Sequence, residues 1–295
     1  MSESTIHDLG YRRYDGPREG WWGAWQALFW QGFRSMFGLG RGLRAKAIPV
    51  FVLAMVLLPL LAAVAAAGAT TGAATDASAG APALPYGLLI GSQLLLFVLF
   101  IAAQVPEVLC RDRQHGVRPL LLTRALAPRE YALARLGAVW VAMWLVATVP
   151  LLLLYAGELA IAADPAARFA ESRSRLGPVL LSGTMTAWVI GSLAAMMASL
   201  TARRAFASML VVGLFLALAA AATGVDDGVA MPAIVREFLD PLRALRTMAM
   251  LLFGETTWAM ETNPPPSVGV FVVVFIVTGA LASLVAMRRL ERVDA

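Results

Sequence analysis

Six stretches of this chain, at about residues 48–67, 86–108, 134–156, 178–200, 205–224 and 267–287, are almost uninterrupted apolar sequence. With 1.5 Å of rise per residue, about 20 helical residues match the ~30 Å hydrocarbon core of a bilayer. Each stretch is therefore long enough to cross as a helix. The composition agrees, with 59% of the 295 residues hydrophobic and 15% charged. Soluble domains hold about 45–50% apolar and about 25% charged residues. The expected fold class is an all-α integral membrane protein with six transmembrane helices in one domain over residues 48–287.

The arginines set the expected orientation, since short cytoplasmic loops carry an excess of Lys and Arg. Arg12, Arg13, Arg18, Arg34, Arg41, Arg44 and Lys46 precede the first span. Arg111, Arg113, Arg118, Arg124, Arg129 and Arg135 follow the second, Arg203 and Arg204 join the fourth to the fifth, and Arg288, Arg289 and Arg292 follow the sixth. The alternate loops are poorer: the first has no basic residue, the second has Arg168, Arg173 and Arg175, and the third has Arg236, Arg243 and Arg246. Both termini are expected in the cytoplasm. This distribution also accounts for the formal charge of +5 without nucleic acid.

Residues 1–20 are polar and lack apolar periodicity, which predicts a cytoplasmic tail rather than a cleaved signal peptide. Residues 21–47 are an expected amphipathic helix with a linker. There Trp21, Trp22, Trp25, Leu28, Phe29, Phe33, Met36 and Phe37 recur at helical spacing on one face. Tryptophan favours the headgroup level, so the helix is expected to lie in the membrane interface, with Trp21, Trp22, Trp25, Phe29 and Phe33 as its contacts. A buried core helix is the other reading of the same face. Gly68 to Pro85 is a small-residue linker, and 288–295 a second cytoplasmic tail.

Between the fifth and sixth spans, Asp240-Pro241 is a helix start, an N-cap followed by proline at the first helical position. Apolar residues at helical spacing on either side predict two short helices dipping into the outer leaflet; a surface-packed loop is the alternative.

The densest polar segment is Glu107 to Tyr131, which concentrates Arg111, Asp112, Arg113, Arg118, Arg124, Arg129 and Glu130 between two apolar spans. Pro119 with Leu120 to Leu122 reads as a short helix that Pro128 ends, proline being unable to continue a helical ladder. The segment is expected to act as a cytoplasmic lever docking onto a partner protein.

Catalytic signatures are missing from the sequence. It has no Gly-x-x-x-x-Gly-Lys-Ser/Thr phosphate loop, no His-Glu-x-x-His and no Gly-x-Ser-x-Gly. Cys110 is the single cysteine, and His7 and His115 lack metal-ligand spacing. No catalytic residue, metal or cofactor is expected in this chain, and it is not expected to be an enzyme. Among ionisable groups at the spans, Glu107 lies at the inner end of the second and Glu158 near the outer end of the third, neither deep enough for a proton relay. For Glu158 solvation by the interface is expected, with a transport role as the other reading. Gln93 and Gln104 are expected to hydrogen-bond between helices, lining a path being the other reading, and Gly183, Gly191 and Ser192 to allow close helix approach.

An aromatic interfacial helix, six spans and a basic loop after the second resemble a permease subunit of the type-2 ATP-binding-cassette exporter family. The likeness covers nearly the whole chain and is most specific in the polar segment. There Glu107 ends the span, followed by Arg111-Asp112-Arg113, Gly116, Leu120 to Leu122, Arg124 and Glu130-Tyr131. The tail Asp8-Leu9-Gly10-Tyr11-Arg12-Arg13-Tyr14 is similar to those of actinobacterial members. The chain departs from the family in carrying Ala125 after Arg124, with proline only at Pro128.

The resemblance implies a bacterial plasma-membrane exporter permease. Its coupling helix would meet a separate ATPase subunit through Glu107, Arg111, Asp112, Arg113, Gly116, Leu121, Arg124, Arg129 and Glu130. It further implies a second permease copy or relative, and ATP and Mg held by the partner ATPase. A membrane-embedded scaffold or sensor without transport is the competing class.

Overall fold

A computed structural model describes residues 20–40, 42–73, 85–116, 126–226, 233–255, 257, 260 and 264–292. The elements are α1 (Gly20–Met36), α2 (Leu43–Ala73), α3 (Tyr86–Leu109), α4 (Arg111–Gln114), α5 (Pro128–Ala160) and α6 (Pro165–Ser172). A 3-10 turn (Arg173–Arg175) leads into α7 (Leu176–Ser199), followed by α8 (Arg204–Asp226), α9 (Ala233–Leu239), α10 (Pro241–Phe253) and α11 (Val268–Glu291). No strand occurs among the described residues. Six helical stretches there are long and apolar enough to cross a membrane, the architecture of a multi-pass membrane protein.

The spans are longer than their apolar cores because local chemistry extends them. α5 begins at Pro128, where proline fits the first turn and the Glu130 carboxylate accepts the Ala127 N–H at 2.8 Å. The fourth span starts early, at Pro165. Asp164 caps α6 by accepting the N–H groups of Ala166 (2.9 Å) and Ala167 (3.1 Å), and the 3-10 turn carries the helix into α7. α2 runs on to Ala73, into the expected small-residue linker, whose alanines are good helix formers. Pro150 is accommodated inside α5 without ending it.

α7 is central: 72% of its apolar stretch is buried, against 22% for α2 and for α8. Small residues permit this. A Cβ on Gly183 would fall 2.2 Å from Thr148 Oγ1 of α5, and one on Gly279 of α11 would fall 2.1 Å from Trp188 Nε1 of α7. Between these helices Trp140 Nε1 donates to Ser192 Oγ (3.2 Å) and Ser283 Oγ to Ser192 Oγ (2.9 Å), giving the core a short polar seam. Gln93 Nε2 donates to the Val56 carbonyl at 3.1 Å, an α3-to-α2 bond as expected.

α9 and α10 form the pair of short helices between the fifth and sixth spans. Asp240 caps α10 by accepting the Leu242 N–H at 2.9 Å, and Gly254 closes it at φ +70°. α10 lies along the start of α3 through a small-xxx-small seam, the arrangement that lets helix backbones approach closely. A Cβ on Gly87 would sit 2.7 Å from Met250 Cα, and one on Gly91 2.7 Å from Arg246 Cγ.

α1 buries Leu28, Gly32 and Met36, one face at i, i+4 spacing, against α5 and α3. Trp22, Trp25, Phe29 and Phe33 stack along its flank, with centroids 5.3 to 6.4 Å apart. Trp21, Trp22 and Trp30 remain half exposed. Gly38 reverses the chain into α2 at φ +64°, where a Cβ would lie 2.5 Å from the Ala45 carbonyl oxygen. The tail over residues 1–19 lies outside the described residues, as do Leu121 and Arg124 of the expected coupling helix.

Candidate functional site at the basic end of the bundle

The C-terminal ends of α3, α7 and α11 and the N-terminal ends of α2, α5 and α8 gather at one end of the bundle, which also carries most of the described arginines. The α3–α4 junction is its hub. Asp112, 7% exposed, accepts the Tyr131 hydroxyl (2.8 Å) and an Arg135 guanidinium N–H (2.5 Å) on the same oxygen, Oδ2. Arg135, itself buried, also donates to Gln31 Oε1 of α1 at 3.2 Å. A buried carboxylate and a buried guanidinium are thus neutralised together, as buried ions require.

Arg113 does something different with its charge. Its two terminal nitrogens donate to the carbonyls of Ser199 and Arg289, each at 2.7 Å. These carbonyls belong to the last turns of α7 and α11, where main-chain acceptors lack helical partners and the helix dipole is negative. One guanidinium therefore closes two helix ends. The Cys110 thiol meets the end of α7 as well, lying 3.6 Å from the Ala198 carbonyl and 3.4 Å from that of Thr201. Glu107 ion-pairs with Arg204 at the start of α8 and lies 3.6 Å from Arg111.

Of the expected coupling residues, the structure brings Glu107, Asp112 and Arg113 together as inward-facing ties between spans. Glu130 is occupied by its own helix start. Arg111 is half exposed, Gly116 is exposed at φ +62°, and Arg129 is 81% exposed, 3.5 Å from Glu291. Of the expected interfacial contacts, Trp21 and Trp22 are exposed, whereas Trp25, Phe29 and Phe33 pack partly onto the protein.

The opposite end holds a second buried charge cluster that the sequence reading misjudged. Glu158 is fully buried, not solvated by an interface. Its Oε1 accepts from Arg168 and, at 2.7 Å, from Arg175, while Oε2 accepts the Tyr86 hydroxyl at 2.8 Å. Nearby, the Glu255 carboxylate accepts the N–H groups of Gly87 (2.8 Å) and Leu88 (2.9 Å). It caps α3, whose own N-cap, Pro85, supplies no side-chain bond. Glu255 was invisible to sequence reasoning because it stands 168 residues from its partner. The arginines around Glu158 were legible as basic residues, but not as its counter-ions.

Compared with known proteins, the chain matches no protein-family model and no curated protein.

Proposed function

We propose that this chain is the membrane-spanning permease subunit of an ATP-binding-cassette exporter, moved by a separate ATPase subunit that docks on the segment between α4 and α5. One observation supports this reading above the others. The α3–α4 junction at the start of that segment is fastened through Arg113 to the ends of α7 and α11, through Glu107 to α8, and through Asp112 to α5. A displacement applied there reaches four spans without passing through lipid. In this reading both termini and this end of the bundle face the cytoplasm, where ATP is available, and the excess of arginine in these loops supports that side.

A partner moves the bundle only if it binds two of its conformations with different affinity. The exposed Arg129, with Arg124 before it in the chain, offers charge for that contact. Arg113 does not serve as well, since its guanidinium already holds helix ends. The double substitution R124E/R129E is expected to abolish co-purification with the ATPase subunit and the stimulation of its ATP hydrolysis by the reconstituted permease. Unchanged association and stimulation, or the lack of any ATPase that binds the wild-type chain, would overturn the proposal.

A further inference from the structure

An apolar groove of about 580 Å³ runs between α1, α2 and α5, lined by Phe33 and Phe37, Leu53 and Leu57, and Val149 and Leu153 among others. Small-molecule sites occupy about 300–1,000 Å³ and combine apolar walls with a few placed polar groups. Here the single charged lining residue is Lys46, at the basic end. Lys46 and Leu57 are eleven residues apart on α2, which is about 16 Å of helix. That is close to half of the ~30 Å hydrocarbon thickness, the depth of one leaflet. The groove thus has the reach of one acyl chain entering beside a cation.

The groove does not stop at Lys46. It shares Phe33 and Leu39 with a second hollow, lined also by Trp30, Gln31, Arg34 and Arg111. This neighbour is polar where the first is greasy. The side chains of Lys46 and Arg34 form no ion pair or hydrogen bond with any described residue. Arg111 shares Glu107 with Arg204, so that one carboxylate faces two guanidinium groups and cationic charge is left over. An elongated apolar slot opening onto three cations is complementary to an amphiphile with an anionic head.

We infer that α1, α2 and α5 form a binding site for one anionic glycerophospholipid, with an acyl chain in the groove and the phosphate between Lys46, Arg34 and Arg111. Basic pockets at helix ends near the membrane surface recognise acidic headgroups in this way. The lipid would fill the space under α1 and hold that helix against the spans, whether or not an ATPase partner binds.

The test uses the purified, delipidated full chain in detergent, with native mass spectrometry counting retained dioleoyl lipids. Wild-type protein is expected to retain phosphatidylglycerol well above phosphatidylethanolamine carrying the same chains. R34Q/K46Q is expected to lower phosphatidylglycerol retention about twenty-five-fold, from about fivefold per cation, while its thermal unfolding stays at the wild-type temperature. Val149→Trp, which narrows the groove, is expected to lower retention of both lipids. Glycerol 3-phosphate is expected not to compete, because it lacks the chain. Equal retention of the two lipids, full retention by R34Q/K46Q, or displacement by glycerol 3-phosphate as effective as by the lipid would overturn the inference.

Discussion

The two ends of the bundle bury the same chemistry and use it differently. Each has a buried carboxylate that accepts from a buried tyrosine hydroxyl and from at least one arginine; Arg135 is itself buried, whereas Arg168 and Arg175 are 18% and 33% exposed. At the α5–α6 end, Glu158 draws its arginines from 10 and 17 residues away, and only Tyr86 comes from a distant span. That cluster closes a connection onto its own helix. At the basic end the partners of Asp112 and Arg113 lie 19 to 176 residues away, on α5, α7 and α11. That cluster ties separate spans together. A local knot fixes a shape, whereas a distributed one lets a force at a single segment reach many helices.

Breaking the local knot has the largest expected effect on stability. Glu158→Gln leaves Arg168 and Arg175 facing each other around a neutral amide in a fully buried position. Removing one partner of a buried pair costs about 3–5 kcal/mol, and the partial exposure of Arg168 and Arg175 puts the loss at the lower end, about 3 kcal/mol for the two pairs together. A thermal melt of the purified chain in detergent checks this, and a loss under about 1 kcal/mol would mean that water reaches the site.

The distributed network is expected to lose less stability and more communication. Asp112→Asn removes the counter-charge of Arg135, which keeps Gln31 and the Tyr131 ring, 5.7 Å from its guanidinium. We expect about 2 kcal/mol, below the Glu158 value because these contacts survive. Hydrogen exchange is the sharper readout. The amides of Gln114 and His115 should exchange faster, together with those at the facing ends of α5 and α7. Change confined to α4 would show that the junction is not coupled to the spans.

How much of this was readable beforehand follows from the range of each interaction. The six spans and the Asp240-Pro241 helix start depend on neighbours within a few residues, and the structure has them where local chemistry placed them. Pro128 opens α5, and the short helix it is expected to end lies outside the described residues. The span boundaries moved because caps extend a helix past its apolar core, as Asp164 and Glu130 do. The charged residues of Glu107–Tyr131 stood out in the sequence, but not their direction. Asp112 and Arg113 turn inward because Arg135 and two helix ends await them there, and those partners come from other spans. Glu158 was misjudged for the same reason: its depth was set by the folding-over of α6, which apolar run length does not report.

The two tyrosines give the finest test of the comparison. Tyr86 and Tyr131 each donate one hydrogen bond of 2.8 Å to a buried carboxylate, so a count of bonds predicts equal losses on mutation to phenylalanine. Atom by atom they differ. Both arginines of the Glu158 cluster sit on Oε1, leaving Tyr86 as the partner of Oε2. At Asp112, Tyr131 and Arg135 share Oδ2, so the guanidinium still holds that oxygen when the hydroxyl is gone. A buried charged acceptor stripped of its bond costs about 1.5–3 kcal/mol, whereas a redundant neutral donor is worth about 1 kcal/mol. Tyr86→Phe should therefore destabilise more than Tyr131→Phe, by about 1 kcal/mol in paired melts. The reverse order would make the basic-end network the more tightly satisfied of the two, and would undo the distinction between a knot that fixes shape and one that transmits force.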